Sequence, residues 1–435
     1  MKMRAMVGWG VGSFTSAALV GAVSLLHMRF MTDSLGIAIG VAGLLVVLSK
    51  VYDAILDPLM GVASDRTRTP WGRYRPYLIV GALLAAVSVT MLFNVPTSLA
   101  RGGIITWSCL SLLIYSTAYT MFRIPYLALG RAITQDFGER SRLMTFSVIG
   151  SSIGTMAATS AIPFLLAGFG SDRSAHALLA WLVTGFVALG GIATFLMIES
   201  EGEESGSQSR AHFTMAEAWR AVAANRAFRA LIGFKVLLFS GLALHGAAIP
   251  YFTRHALHAT DFSLGSVFLM QTLAMMASQP VWVRVASRIG RRKGLIAAAL
   301  MEAIAILAWF LVPAGQPSPW LQLIGGFEGL ALDGIMFGLY TMLSDTMDLA
   351  CSDPAAPGQD GILAGVFVMV EKATSALGTF LFSTIMAWAG FISASDAGTI
   401  QPATVTTGII AAIALIPAGA ALLACLILRD KPVRT

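Results

Sequence analysis

Two aspartates one helical turn apart, Asp53 and Asp57, are the residues of this chain best placed to do chemistry. They lie in Lys50-Val51-Tyr52-Asp53-Ala54-Ile55-Leu56-Asp57-Pro58, within a long apolar run. A spacing of four puts both carboxylates on one helix face, and Lys50, three residues before Asp53, joins that side. Two carboxylates held close in a low dielectric do not both stay charged and unpaired: they bind a cation, take a proton or form a salt bridge. Pro58 lacks an N–H and frees a carbonyl one turn back, near Ala54. Two carboxylates, a hydroxyl and a freed carbonyl suit a hard cation such as Na⁺. Lys50 as a mere brace would neutralise one acid and leave the other charged, so a cation site is the expectation.

A second costly charge sits in Tyr119-Thr120-Met121-Phe122-Arg123-Ile124-Pro125-Tyr126. A guanidinium does not shed its proton, so Arg123 needs carboxylates, water or an anionic substrate around it. Pairing to Asp53 or Asp57 and binding a substrate anion both remain open, and the two can alternate over a cycle. Tyr119 and Tyr126 join Arg123 as candidate substrate contacts. Later apolar runs carry Lys235, Glu302, Glu328, Asp333 and Glu371-Lys372. Lys372 is the cation expected near a cavity, as a partner for the acids or for substrate. Lys235 and Glu302 are either deep or snorkelling. Asp345 and Asp348, beside an otherwise basic face, read as a gate or brace to arginines rather than as a binding pair.

These charges stand out because the rest of the chain belongs in lipid. Of 435 residues 56% are hydrophobic and only 12% charged, and the mean hydropathy is +0.76. A hydrocarbon core about 30 Å thick needs roughly 20 apolar residues per helix. Twelve such runs are expected, at 5–28, 36–64, 76–96, 102–130, 142–169, 176–198, 228–253, 262–284, 294–313, 319–346, 361–390 and 404–428. The Glu-, Gly- and Ser-rich stretch at 199–227 reads as a cytoplasmic linker between two six-helix bundles, 1–198 and 228–435. Most of the 29 basic residues fall on one side of this arrangement, with Arg29, Arg101, Arg173 and Arg254 opposite, which puts both termini in the cytoplasm. The net charge of +6 is thereby topology, not a nucleic-acid surface. Val62-Ala63-Ser64-Asp65 leads through Gly72-Arg73-Tyr74-Arg75 into an apolar run, and Val285-Ala286-Ser287-Arg288 does so through Gly290-Arg291-Arg292-Lys293. Such a parallel repeat marks the major-facilitator architecture, in which two bundles rock about a midplane site. Gly8, Gly10, Gly12, Gly150 and Gly154 allow close helix approach.

The motif from Asp53 to Gly61, with Ser64-Asp65-Arg66-Thr67-Arg68, Trp71-Gly72-Arg73 and Arg75-Pro76, resembles the helix 2 and loop signature of the glycoside–pentoside–hexuronide:cation symporters, the melibiose-permease branch of the major facilitators. Ile124 to Leu129, Arg140 to Leu143 and Ser344 to Asp348 extend the resemblance over most of the chain. It implies cation carboxylates at Asp53 and Asp57, a hydroxyl ligand at Thr120 and the helix 11 lysine at Lys372, with Lys50 at a family arginine position. Asp65, Arg73 and Arg140, with Lys50, Asp345 and Asp348, fall to a gating charge network. The chain departs from the family at Leu56, where an asparagine is expected, so the coupling ion reads as Na⁺ or H⁺. It also departs at the sugar contacts: Ala17 and Arg123 replace two aspartates, Leu127 a stacking tryptophan and Val148 an arginine. An arginine donates hydrogen bonds and favours carboxylate, sulfonate or phosphate.

The function expected is cation-coupled symport of a small organic anion, such as a sugar acid, across a bacterial inner membrane. An amphiphile or lysolipid symporter and a non-transporting sensor are the alternatives. Six histidines without metal spacing, and the lack of nucleophile-elbow, Walker or dinucleotide motifs, argue against an enzyme and a cofactor. Cys109, Cys351 and Cys425 show no paired spacing. Partners are expected to be the solute and membrane lipid, with no nucleic acid and no obligate protein.

Overall fold

Apolar runs long enough to cross a bilayer fold here as helices, which satisfy every backbone N–H and C=O without water. The computed structural model describes residues 3–133, 137–170, 172–198, 222–223, 225–312, 319–351, 360–393 and 401–429, without the side chains at 131–133, 137, 138, 140, 141, 348–351, 360 and 361. In the first half α1 is Met3–Arg29, α2 Ile39–Arg66, α3 Arg75–Phe93, α4 Arg101–Ile133, α5 Phe137–Met156 and α6 Arg173–Met197. In the second, α7 is Arg226–Tyr251, α8 Asp261–Ile289, α9 Arg291–Leu307, α10 Pro319–Cys351, α11 Asp360–Trp388 and α12 Ala403–Ile410, which continues through a π turn into Ile416–Arg429. A π turn likewise extends α5 to Phe169.

Among the described residues 11 helices are long and apolar enough to span a membrane. The expected span in α8 is a helix of 29 residues but is not among them. Gln271, Ser278, Gln279 and Arg284 dilute its apolar content.

The chain forms two compact units. Unit 1 is Met1–Gly206 with Thr260–Gly265 and Gly390–Gln401; unit 2 is Ser207–Ala259, Ser266–Ala389 and Pro402–Thr435. Two short pieces of the second half thus group with unit 1. Nearly all of the expected linker lies outside the described residues.

Four pairings recur between the units. In unit 1 α1 packs on α5 and α6 and α3 on α4 and α6, with α2 also on α4; in unit 2 α7 packs on α11 and α12 and α9 on α10 and α12. The repeat reaches into the backbone. After α1 a π turn, Phe30–Ser34, closes with Leu35 N–H on Phe30 O and Ile37 N–H on Met31 O. After α7 the turn Phe252–Ala256 closes with Leu257 on Phe252 and Ala259 on Thr253. Both are followed by a left-handed residue, Gly36 and His258. The basic loops repeat as well, through Gly72 at φ 92° and Gly290 at φ 87°, a backbone region open mainly to glycine. At the α1–α5 seam a Cβ on Gly150 would stand 2.1 Å from Gly10 O, so the close approach expected of these glycines is present.

Candidate functional site

Hydroxyl groups lace α2 to α4 in unit 1. Ser116 Oγ donates to Ser49 O at 3.4 Å, and Tyr52 and Thr117 share a hydrogen bond of 3.0 Å. The acids follow on the same seam. Asp53 is buried, with Tyr115 beside it, and one turn on Asp57 is half-buried. Thr120, 1% exposed, donates its hydroxyl to Asp57 Oδ1 at 2.9 Å. Its single proton is thereby committed to Asp57, so threonine and carboxylate together offer only acceptor oxygens to anything lying against them. Pro58 lies inside α2, as the freed-carbonyl argument requires. Lys50 is half-buried on the same helix. The arrangement can hold a cation or a proton. Among the described residues no group of three or more His, Cys, Asp or Glu gathers as metal ligands, so a metal ion here would lean on hydroxyl and carbonyl oxygens.

Arg123 lies farther along α4 and points to α1. Its described hydrogen bond runs to Ser16 Oγ at 3.4 Å, the outer limit for such a contact, and among the described residues no carboxylate pairs with it. Of the two readings left open for Arg123, the pairing to Asp53 or Asp57 is not seen among the described residues. Leu127 and Val148, at the positions of the family's sugar contacts, are exposed apolar residues. Tyr119 is half-buried and stacks on Tyr115 at 6.3 Å, which ties it to the acid seam.

Tyr126 is corrected. It is fully buried, stacks on Trp9 at 4.0 Å and donates its hydroxyl to Trp9 O at 2.5 Å, with Ser13 Oγ at 2.7 Å. It belongs to a core of Trp9, Leu78, Phe122 and Leu129, and it pins α4 to α1 instead of facing a ligand. Tyr126 shares the α1-facing side of α4 with Arg123, and one turn farther along that side Trp9 and Ser13 hold it.

The other expected residues are scattered. Asp65 is exposed and accepts from Tyr74 OH at 2.8 Å, and Arg73 lies over the same Tyr74 ring at 5.7 Å. Asp345 forms an ion pair with Arg291, the brace expected at the end of α10. Lys372 is half-buried on α11. The side chains of Arg140 and Asp348 lie outside the described residues.

Three arrangements escaped the sequence. Arg29, counted there as a loop charge, is 2% exposed and clamps Asp261 with both guanidinium nitrogens, at 2.5 and 2.9 Å, within unit 1. Lys235 is fully buried, bonded to Phe367 O at 2.9 Å and Glu371 at 3.0 Å. Glu328 gathers donors from several helices of unit 2. Only the burial cost of each charge could have flagged them.

Long apolar helices, a repeated pattern of helix pairing and ionisable groups inside the spans define a multi-pass secondary transporter, not an enzyme. Residues 8–433 match the family described as MFS/sugar transport protein, and the chain belongs to it, among the glycoside–pentoside–hexuronide:cation symporters its loop motifs resemble. The glucuronide carrier protein homolog of Escherichia coli (strain K12) is 24% identical, over 99% of this chain and 93% of that one. The inner membrane symporter YicJ of the same organism is 26% identical, over 98% and 91%. Among solved structures, that of the nucleoside transporter NupG covers 99% of this chain and 100% of its own with a TM-score of 0.70 at 14% identity, a likeness of fold. The protein is thus a cation-coupled symporter of the major facilitator type.

Proposed function

We propose that this symporter moves a small organic anion, a sugar acid or glycoside acid, across the inner membrane by alternating access with both termini in the cytoplasm. The coupling ion, Na⁺ or H⁺, occupies the Asp53–Asp57–Thr120 seam. The observation that carries the anion reading is Arg123. A permanently charged guanidinium inside a membrane helix, holding one long hydroxyl contact and no carboxylate, has donors to spare for a ligand's oxygens. The likeness to a glucuronide carrier homolog agrees with it. Tyr119 would present its ring and hydroxyl to the same solute, and Lys372 is proposed as a second cationic contact. Lys50, Asp65, Arg73, Arg140, Asp345 and Asp348 keep their gating assignment, supported at Asp345 by its pair with Arg291.

Coupling follows from charge. With no cation bound, two acids on one face of α2 repel across one turn and disfavour occlusion from water; a bound cation cancels much of that charge. The solute's anionic group and Arg123 cancel likewise.

Proteoliposomes test the reading. Uptake of 4-nitrophenyl β-glucuronide, 4-nitrophenyl β-galactoside and lysophosphatidylcholine is measured under a Na⁺ gradient, a proton gradient or neither. The glucuronide should accumulate under one cation gradient only, and Asp57→Asn should abolish the accumulation. Preference for the galactoside or the lysolipid overturns the anion reading, and binding without counterflow makes the protein a sensor.

A further inference from the structure

Unit 2 holds a buried polar cluster that coupling at α2 does not use. Glu328 of α10 is fully buried, and its carboxylate accepts from Trp309 Nε1 at 2.5 Å and Gln271 Nε2 at 3.2 Å. His245 of α7 faces the same carboxylate, with Nε2 3.1 Å from Oε1, while its Nδ1 lies 2.5 Å from the carbonyl oxygen of Ile413 in the π turn of α12. A carbonyl only accepts, so Nδ1 carries a proton. A bare Nε2 would then set its lone pair against a carboxylate oxygen. One further proton therefore belongs to the pair, on the ring or on Glu328. The Nε2 contact lies off the line of an N–H bond.

Glu302 of α9 completes the cluster. It is 1% exposed, within electrostatic reach of Glu328, and its Oε2 has no hydrogen-bond partner. Among the described residues no fixed cation lies within electrostatic reach of it. α10 brings Glu328, and its Asp333 is held by Ser278 of α8; α7 brings His245, and its Lys235 is spent on Glu371 and Phe367 O; α12 brings Cys425, on Ile296 O. A carboxylate at Glu302 would face a like charge in an apolar interior with a bare oxygen, and a proton removes that conflict. A metal ion fits poorly, because the lone pairs of Glu328 already take nitrogen donors and the three side chains do not gather as metal ligands.

We propose that Glu302, backed by the His245–Glu328 pair, is a proton-binding site of unit 2, separate from the acids of α2, and that it gives the transporter a pH response of its own. On release the O–H bond of Glu302 breaks, its electron pair stays on the carboxylate and the proton passes to water reaching α9.

Infrared difference spectroscopy of the purified, lipid-embedded protein tests this over about pH 5 to 9, where carboxyl, imidazole and coupled groups separate. The wild type should show a deuterium-sensitive carboxylic C=O band that titrates in this range. The band should vanish in Glu302→Gln and persist in Asp53→Asn and Asp57→Asn. Should Glu302→Gln fail to fold, His245→Asn serves, since loss of the facing imidazole must move the midpoint of the band. A band lost in the α2 variants and kept in Glu302→Gln overturns the proposal. So does a band that never titrates, or a midpoint indifferent to His245. The α2 arms keep this outcome distinct from that of the coupling reading.

Discussion

Replacing Arg123 by alanine removes the one charge on which solute selectivity is argued to turn. At a contact distance of about 4 Å, with the effective dielectric of about 20 found near protein surfaces, guanidinium and carboxylate attract by about 4 kcal/mol. Desolvation takes back part of this, and truncating one partner of a buried charge pair costs roughly 2–5 kcal/mol. Arg123 is half-buried and starts from a weak 3.4 Å contact with Ser16, so little is lost in the ligand-free state and the cost falls on the complex. The lower part of that range, about 2–3 kcal/mol, corresponds to a roughly 30- to 150-fold weaker half-saturation at about 1.4 kcal/mol per decade. Arg123→Lys should recover part of the loss, since an ammonium keeps the charge without the planar fork. The assay is concentration-dependent counterflow of 4-nitrophenyl β-glucuronide beside the matching neutral galactoside. The change should be confined to the acid, and Ser16→Ala should leave both solutes nearly unaffected. Equal losses for acid and neutral glycoside, or no loss for either, refute the argument: Arg123 would then be a structural charge.

Thr120→Val deletes the hydroxyl that Asp57 accepts at 2.9 Å, a charge-assisted bond worth about 1.5–3 kcal/mol; half-saturation for the coupling cation should weaken about tenfold, with Thr120→Ser close to wild type. Arg29→Leu leaves Asp261 buried without its clamp and should cost about 3–5 kcal/mol, read as a lower melting temperature in detergent, whereas Arg29→Leu with Asp261→Leu should regain much of it. Gly150→Ala sets a methyl against Gly10 O and should destabilise the α1–α5 seam by about 1–3 kcal/mol in the same assay. At the start of α6 the Asp172 carboxylate accepts from Ala175 N–H at 2.9 Å and Ser174 Oγ at 2.8 Å, which holds its carboxyl below the ordinary range. Its stabilising effect is present above the ordinary carboxylate value and fades as pH falls through the lowered one. Hydrogen exchange at Ala175 should rise at acid pH, and at all pH in Asp172→Ala.

What the sequence made legible was local or periodic. Asp53, Asp57 and Pro58 announce themselves because a four-residue spacing on an apolar helix has few bland readings, and the family resemblance sets the Thr120 hydroxyl with these acids, where it meets Asp57 at 2.9 Å. Helix boundaries followed from runs of apolar residues; α8 is less apolar than the rest because some of its polar residues serve other helices, Gln271 reaching Glu328 and Ser278 reaching Asp333. What stayed hidden depends on partners far along the chain. Arg29 and Asp261 each look like an ordinary charge beside a turn, and nothing in either neighbourhood says that 232 residues away lies the other. Depth was also undecidable for Lys235 and Glu302, because a long side chain on a membrane helix can be drawn buried or reaching for the interface. Tyr126 misled because nearness to Arg123 in sequence suggested a shared task, whereas Trp9 and Ser13 hold it in the core.

The degree to which each intramembrane charge is satisfied sorts these residues better than their depth does. Arg29 has a two-pronged carboxylate, Lys235 has a carboxylate, a carbonyl and the Phe367 ring 3.3 Å away, and Glu328 has indole and amide donors with an imidazole beside them. Arg29 and Lys235, so surrounded, gain little from a ligand, and removing their partners should destabilise the protein before it alters transport. Arg123, with one long hydroxyl contact, and Glu302, with a bare buried oxygen, sit at the other extreme. On the readings proposed above, an anion completes the shell of the first and a proton that of the second. The two groups lie in different units, so on these readings each unit carries one group that answers to a mobile partner.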